Sequence, residues 1–170
     1  MSSPRIRTAT LQDLPALVDI YNHYVVETPI TFDLQPFTVA SRRGWFDEHA
    51  PGGRHQLLVA VDTDDAVLGY ATTSRWRPKA AYDQTVESSV YCRANAVGRG
   101  IGSLLYGSLF EAMAKEPVHR IVAGATMPND ASVALHRRFG FRQVGVFTSV
   151  GYKFGKYWDV AWLERGSRGS

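Results

Sequence analysis

The segment Val90–Leu105 confines the fold more tightly than any other part of the chain. It runs from a strand-like stretch, Thr85–Arg93, through Gly98-Arg99-Gly100-Ile101-Gly102 into a helical pattern. Alternating glycines at a strand-to-helix junction clear side chains away from backbone N–H groups, and the first N–H groups of a helix have no partner inside it. Such a junction is a cradle for an anion of the pyrophosphate kind. Ile101, Leu104, Leu105, Leu109, Ala112 and Met113 form an apolar stripe at helical spacing that seats this helix on a sheet. Two other phosphate loops fit poorly. A nucleotide P-loop needs Lys and Ser/Thr after its last glycine, where this chain has Ser103-Leu104. The dinucleotide fingerprint has a different glycine spacing and stands in an opening strand–helix–strand unit, whereas this loop follows a late strand.

Taken in order, the chain predicts a strand at Arg5–Ala9 and a helix capped by Thr10 with Asp13 in its first turn, carrying Leu14, Leu17, Val18, Tyr21 and Val25. A second helix runs from Thr38 to about His49, after an extended piece at Ile30–Phe32. Gln56–Val61 and Ala66–Ser74 form a hairpin around Asp62–Asp65, and a loop from Trp76 leads to Thr85. After the glycine loop come a helix to about Lys115, a strand at His119–Ala125 and a helix at Ala131–Phe139 stopped by Gly140. Strands at Phe141–Phe147 and Trp158–Glu164, separated by Gly151–Tyr157, close the chain. The order βααβββαβαββ without repeat or linker predicts one α/β domain over residues 1–165, followed by a frayed tail, 166–170.

Composition excludes several classes. A net charge of +3 with scattered basic residues argues against nucleic acid as a partner. No apolar run is long enough for a membrane helix, and the N-terminus lacks a signal-peptide core. The single cysteine, Cys92, excludes an internal disulfide and suits a reducing cytoplasm. No His, Cys or acidic spacing points to a metal.

Val97-Gly98-Arg99-Gly100-Ile101-Gly102 resembles the acyl-CoA pyrophosphate loop of the GCN5-related N-acetyltransferases, Q/R-x-x-G-x-G/A, with Val97 standing where Gln or Arg is usual. Further stretches resemble the phosphinothricin and methionine sulfoximine acetyltransferase branch: Ile20–His23, Trp45-Phe46, Thr85–Tyr91, Pro128–Ser132 with Leu135-His136, Gly140-Phe141, and Gly151–Gly155 with Asp159. The resemblance implies a mixed, mostly antiparallel twisted sheet of about six or seven strands flanked by about four helices. It also implies acetyl-CoA as donor, a small amino-acid-like primary amine as acceptor, and a homodimer. Carried over by position, donor contacts fall on Val90, Tyr91 and Cys92, on Gly98, Arg99, Gly100, Ile101, Gly102 and Ser103, and on Asn129, which is also a candidate helix cap.

Attack on a thioester requires a neutral amine. An α-amino group near pKa 8 loses its proton at neutral pH for about 1.4 kcal/mol, whereas a lysine-type amine costs about 4.6 kcal/mol. Glu87 shares a strand face with Ser89 and Tyr91 and matches the general-base position of the resembled branch. Backbone N–H groups near Val90–Cys92 are the oxyanion donors. His136 stands where many relatives carry a tyrosine acid, and is the candidate to protonate the departing thiolate. A covalent acetyl-Cys92 route is disfavoured, because the thiol lacks an evident base. Arg77 is the first candidate for an acceptor carboxylate, with Arg75 and Trp76 beside it and Phe32, Tyr152, Lys153 and Phe154 as further pocket residues. Two rival readings are acetylation of a peptide or protein amine, and an acyl-CoA-binding module without turnover.

Overall fold

The computed structural model describes residues 3–168. Seven strands and four α-helices alternate as β1 (Arg5–Thr8), α1 (Leu14–Glu27), α2 (Val39–Asp47), β2 (Leu57–Val61), β3 (Val67–Arg75), β4 (Thr85–Cys92), α3 (Ile101–Met113), β5 (Arg120–Met127), α4 (Asp130–Arg138), β6 (Arg142–Lys153) and β7 (Lys156–Gly166). They build one sheet in the order β1-β2-β3-β4-β5-β7-β6, and every adjacent pair is antiparallel except β4–β5. Both the element order and the mixed sheet agree with the sequence-based expectation.

The core has two sides. Leu17, Ile20, Tyr21 and Val25 of α1 pack with Val59, Val61 and Tyr70 on one face of the sheet. On the other, Ile101, Leu105, Leu109 and Met113 of α3 pack with Leu58, Ala71, Val86 and Ile121. One member of the expected stripe is misplaced: Leu104 is exposed, while Tyr106 and Phe110 are buried in its stead. The buried face of α3 is therefore rotated towards α4, where Phe139 packs edge-on against both rings.

Two boundaries are corrected. Gly151–Tyr157 is no connecting loop, since β6 and β7 pair through Gly151↔Trp158 and Lys153↔Lys156. The turn is Phe154-Gly155, both at positive φ (53° and 73°), the geometry that matches strand twist in a two-residue hairpin. An aromatic at its first position hid it from the usual Asn-Gly or Asp-Gly signal. The chain end is also ordered further than expected. Gly166 closes β7, and Ser167 is buried, its N–H bonded to the His119 carbonyl and its hydroxyl donating to the Val118 carbonyl. Residues 169–170 lie outside the described residues.

Candidate active site

The site arises where the one parallel strand pair comes apart. β4 and β5 share three rungs, Thr85↔Arg120, Val86↔Ile121 and Glu87↔Val122, and no further pairing follows although both strands continue. From Ser88 to Cys92, β4 therefore keeps a ladder with β3 alone. Arg93 N–H donates to the Leu68 carbonyl at 2.8 Å, and polar groups alternate sides along a strand. By that alternation Ser88, Val90 and Cys92 turn their backbone groups towards the gap, and Tyr91, opposite Tyr70, spends its own on β3. Val90 and Cys92 fit the expected backbone track. Tyr91 spends its backbone groups on β3, although the residue still lines both cavities. Tyr24 Oη donates to the Cys92 carbonyl at 2.6 Å and so covers the far end of the exposed edge.

Two cavities meet in this gap. One, on the α3–α4 side, is lined by Ser88, Val90, Tyr106, Asn129, Ser132 and His136. The other, of about 430 Å³, is lined by Thr31, Phe32, Glu87, Phe147, Val150 and Trp162. They share Ile30, Ser89, Tyr91, Gly124 and Thr126, so a molecule in one reaches a molecule in the other between β4 and β5. The first cavity runs beside a loop built for an anion. Gly98 and Gly100 take φ of +80° and +78°, where a side chain is strained, and Gly100 is the N-cap of α3. The first turn of α3 has no acidic residue and no side-chain cap. Its leading N–H groups, at Ile101, Gly102 and Ser103, stay available to an anion. Gly102 differs in kind, because it is helical and its missing Cβ faces Leu135 at 3.4 Å. Arg99 and Val97 are exposed at the loop. Arg138, which the sequence reading did not single out, reaches back from α4 to Ser103 Oγ at 3.3 Å and adds a cation to the cradle.

Asn129 is the N-cap of α4, its Oδ1 accepting from Ser132 N–H at 3.1 Å. Its amide nitrogen remains free to face the donor cavity, so cap and ligand contact are compatible. His136 is buried, with Nδ1 2.7 Å from the Ser132 carbonyl and Nε2 3.2 Å from Tyr106 Oη. The carbonyl contact requires the proton on Nδ1, which leaves Nε2 to accept from the tyrosine. Burial also lowers the imidazole pKa. A neutral ring bonded in this way holds its own proton on the Ser132 carbonyl and supports the Tyr106 hydroxyl, which lines the same cavity. Sequence spacing identified the position but not the buried tyrosine across from it.

Glu87 is half-buried at the mouth of the second cavity. Burial raises its carboxyl pKa, and the positive charge of Arg77 acts against that rise. Arg77 lies over the Trp76 ring at 5.1 Å, and Trp76 packs edge-on against Tyr82. Arg77 thus stays a carboxylate candidate, with Trp76 as its support. Cys92 has its thiol pushed up to about 11 by burial, which keeps it protonated and unsuited to attack.

Of the other expected pocket residues, Phe32 lines the second cavity, and its ring covers Gly151 so closely that a Cβ there would clash. Lys153 is buried, its Nζ donating to the Thr31 carbonyl at 2.8 Å, so it clasps the α1–α2 connection to β6 and lines neither cavity. Tyr152 and Phe154 are exposed on the hairpin, 58% and 57% accessible, and line neither cavity, with the Phe154 ring 5.1 Å from Lys153 Nζ. Arg75 points into a different cleft, with Glu48, His49, His55 and Ser74. The residues that replace them are Thr31, Phe147, Val150 and Trp162. Phe147 precedes and Val150 lies within a register break in β6, where Ser149 adopts φ +54° and donates its N–H to Asp159 at 2.7 Å. A bulge re-aims side chains, and pairing patterns in sequence do not show one. Among the described residues no group of three or more His, Cys, Asp or Glu is arranged to hold a metal ion, and no helix is long and apolar enough to cross a membrane.

A split parallel strand pair, a glycine cradle at a helix start and a half-buried carboxylate on the opposite side of the gap define an acyltransferase that works on an extended phosphate-bearing thioester. Residues 6–162 match the family model of the acetyltransferase (GNAT) domain, and the chain belongs to that family. It is 55% identical to a phosphinothricin N-acetyltransferase of Streptomyces coelicolor, over 95% of each chain. It is 40% identical to an L-methionine sulfoximine/L-methionine sulfone acetyltransferase of Pseudomonas aeruginosa, over 95% of this chain and 94% of that one. Among solved structures, a GNAT phosphinothricin acetyltransferase from Sinorhizobium meliloti in complex with acetyl-CoA superposes with a TM-score of 0.90 at 31% identity, covering 97% of this chain and 89% of that one. The chain is an acetyltransferase.

Proposed function

We propose that this enzyme transfers acetyl from acetyl-CoA to the primary amine of a small amino-acid-like acceptor of the phosphinothricin or methionine sulfoximine type, by direct attack in a ternary complex. The observation that carries this is the meeting of two cavities across the β4–β5 gap with Glu87 at the acceptor side. The pyrophosphate lies on the N–H groups of Gly98–Ser103 with Arg99 and Arg138 adding charge, and the pantetheine arm pairs with Val90 and Cys92 as an added strand would. Glu87 takes a proton from the acceptor ammonium, directly or through water. The amine nitrogen then bonds to the thioester carbon, and N–H groups of β4 that face the gap meet the oxyanion. Collapse breaks the C–S bond. The thiolate, with an ordinary pKa near ~8.5, leaves without an obligatory acid and takes the proton the new amide nitrogen gives up. Arg77 holds the acceptor carboxylate.

The acceptor cavity, of about 430 Å³, has the size of a small-molecule site and is walled by Phe32, Phe147, Val150 and Trp162, which favours a small molecule over a polypeptide. Detoxification of amino-acid analogues, in the cytoplasm, is the role this chemistry suits. Thiol release with a panel of amines tests the reading. Turnover with L-phosphinothricin, L-methionine sulfoximine and L-methionine sulfone is expected; turnover with peptides alone, or with nothing, would overturn it.

The same reading includes a homodimer. β6 is a twelve-residue edge strand, and Val144, Val146, Phe147, Val150 and Tyr152 are all exposed along it. A long apolar edge is an association surface, and a second copy of this chain is the occupant we assign. Sedimentation equilibrium checks this, with a dimer expected for the native chain and a monomer for Val146→Lys.

A further inference from the structure

A second cleft flanks the catalytic strand pair, and no step of the reaction uses it. It encloses about 330 Å³ and is lined by Glu48 and His49 after α2, His55 before β2, and Ser74 and Arg75 at the end of β3. Sites for small molecules begin at about this size. In the β3–β4 register Ser74 stands opposite Glu87, so the cleft is one strand away from the base.

Its lining holds unusual unspent bonding capacity. Among the described residues, the side chains of Glu48, His55, Ser74 and Arg75 make no hydrogen bond and no ion pair with protein groups. His49 uses one nitrogen, with Nδ1 2.9 Å from the Trp45 carbonyl, so the ring proton is there. Its Nε2 is left as a lone-pair acceptor, buried and without a partner. Burial lowers the His49 pKa and keeps that lone pair free at neutral pH, even with Glu48 nearby. Glu48 and Arg75 bring opposite charges to one cavity and do not pair with each other. A carboxylate from the end of α2 and a guanidinium from the end of β3, in one cavity and not paired, leave room for a molecule that carries both charges. No apolar side chain lines the cleft, so there is nothing to select a side chain and everything to select charged ends.

We propose that this cleft is a binding site, separate from the acetylation site, for a free zwitterionic α-amino acid. Its ammonium is received by the Glu48 carboxylate, beside the His49 ring, and its carboxylate by Arg75 and His55. Being set by the two charged ends, the site accepts amino acids with little regard to side chain.

Glycine is the probe, titrated into the full chain without acetyl-CoA while the imidazole Cε1–H resonances are followed by NMR. His49→Gln and His55→Gln assign the two signals. Both signals are expected to move together on one saturating curve, with the same curve in Glu87→Gln. Glu48→Gln and Arg75→Gln, at exposed positions with thermal unfolding as the check on folding, should each weaken binding by about tenfold, as should acetate or methylamine in place of glycine. Absence of a saturable shift at either histidine up to about 100 mM glycine would overturn the proposal. So would acetate binding as well as glycine, which makes the cleft a plain anion site, or loss of the shifts in Glu87→Gln, which traces them to the acetylation site. Because acetylation is not the readout, this result stands apart from the identity of the acceptor.

Discussion

Glu87 stands opposite Val122 on the last rung that β4 and β5 share. One residue further along β4 the ladder ends, and the carboxylate is left at the gap where the two cavities meet. A carboxylate on the last paired rung, with the gap beyond it, is held in place without being enclosed. Glu87→Gln keeps the shape and removes the base. For an α-amino acceptor we expect kcat at neutral pH to fall by about a hundredfold. Activity should recover partly above pH 8, where the amine, with its pKa of about 8, deprotonates unaided. A pH–rate profile identical to that of the native enzyme would dismiss Glu87 as the base.

The same substitution should make the protein more stable. Burial lifts the Glu87 carboxyl above its ordinary 4.5. The folded chain therefore keeps that proton to higher pH than the unfolded chain, and stability falls as pH rises from 4.5 through the folded value. At neutral pH the ionised, half-buried carboxylate is a cost that glutamine does not carry. Thermal unfolding of Glu87→Gln is expected above that of the native chain at pH 7 to 8, with the difference vanishing below pH 4.5, where both states are protonated. A lower melting temperature throughout would mean the carboxylate is stabilising and its desolvation compensated.

Three glycines that look alike in sequence should respond differently. An alanine at Gly100 meets open space but must adopt φ +78°, a left-handed conformation that costs about 1–2 kcal/mol. The loop then relaxes away from the geometry that presents its N–H groups, and acetyl-CoA affinity should drop by about tenfold, with Gly98→Ala behaving alike. Gly102→Ala has ordinary helical backbone and only a tight approach to Leu135 at 3.4 Å. It should leave affinity within about twofold and gain helix propensity worth roughly 0.5–1 kcal/mol. Isothermal titration with acetyl-CoA separates the cases; equal losses at all three would refute the distinction.

What the residues revealed beforehand, and what they hid, follows from the range of the forces involved. Local punctuation was legible: Gly140 stopping α4, Thr38 capping α2, and the glycine loop after β4 are written in adjacent residues. That Glu87, Ser89 and Tyr91 share a face and one cavity was legible from strand alternation. Long-range partnerships were not. Nothing near His136 announces that Tyr106, thirty residues earlier, will take up its second nitrogen. Nor does the run Tyr152-Lys153-Phe154 show that its lysine turns inward to the Thr31 carbonyl while its aromatics stay exposed. Arg75 and Arg77 are close in sequence, yet Arg75 lines a separate cleft while the charge of Arg77 acts on Glu87.

The clasp between β6 and the α1–α2 connection supplies the last test. Gly151 is the floor on which the Phe32 ring rests, and a Cβ at that position would occupy the ring's own space. Phe32 cannot retreat freely. Thr31 beside it is tied to Lys153 Nζ at 2.8 Å and to Tyr21 Oη at 2.7 Å. Gly151→Ala must therefore push the ring towards the acceptor cavity that Phe32 lines. The donor side is built from β4, α3 and α4 and does not share this contact. We expect the KM for the amine to rise by about tenfold or more while the affinity for acetyl-CoA stays unchanged. The double variant Gly151→Ala/Phe32→Ala removes the clash and should recover part of that loss. If Gly151→Ala instead weakens acetyl-CoA and amine together, the clasp is holding the whole sheet and not the acceptor wall.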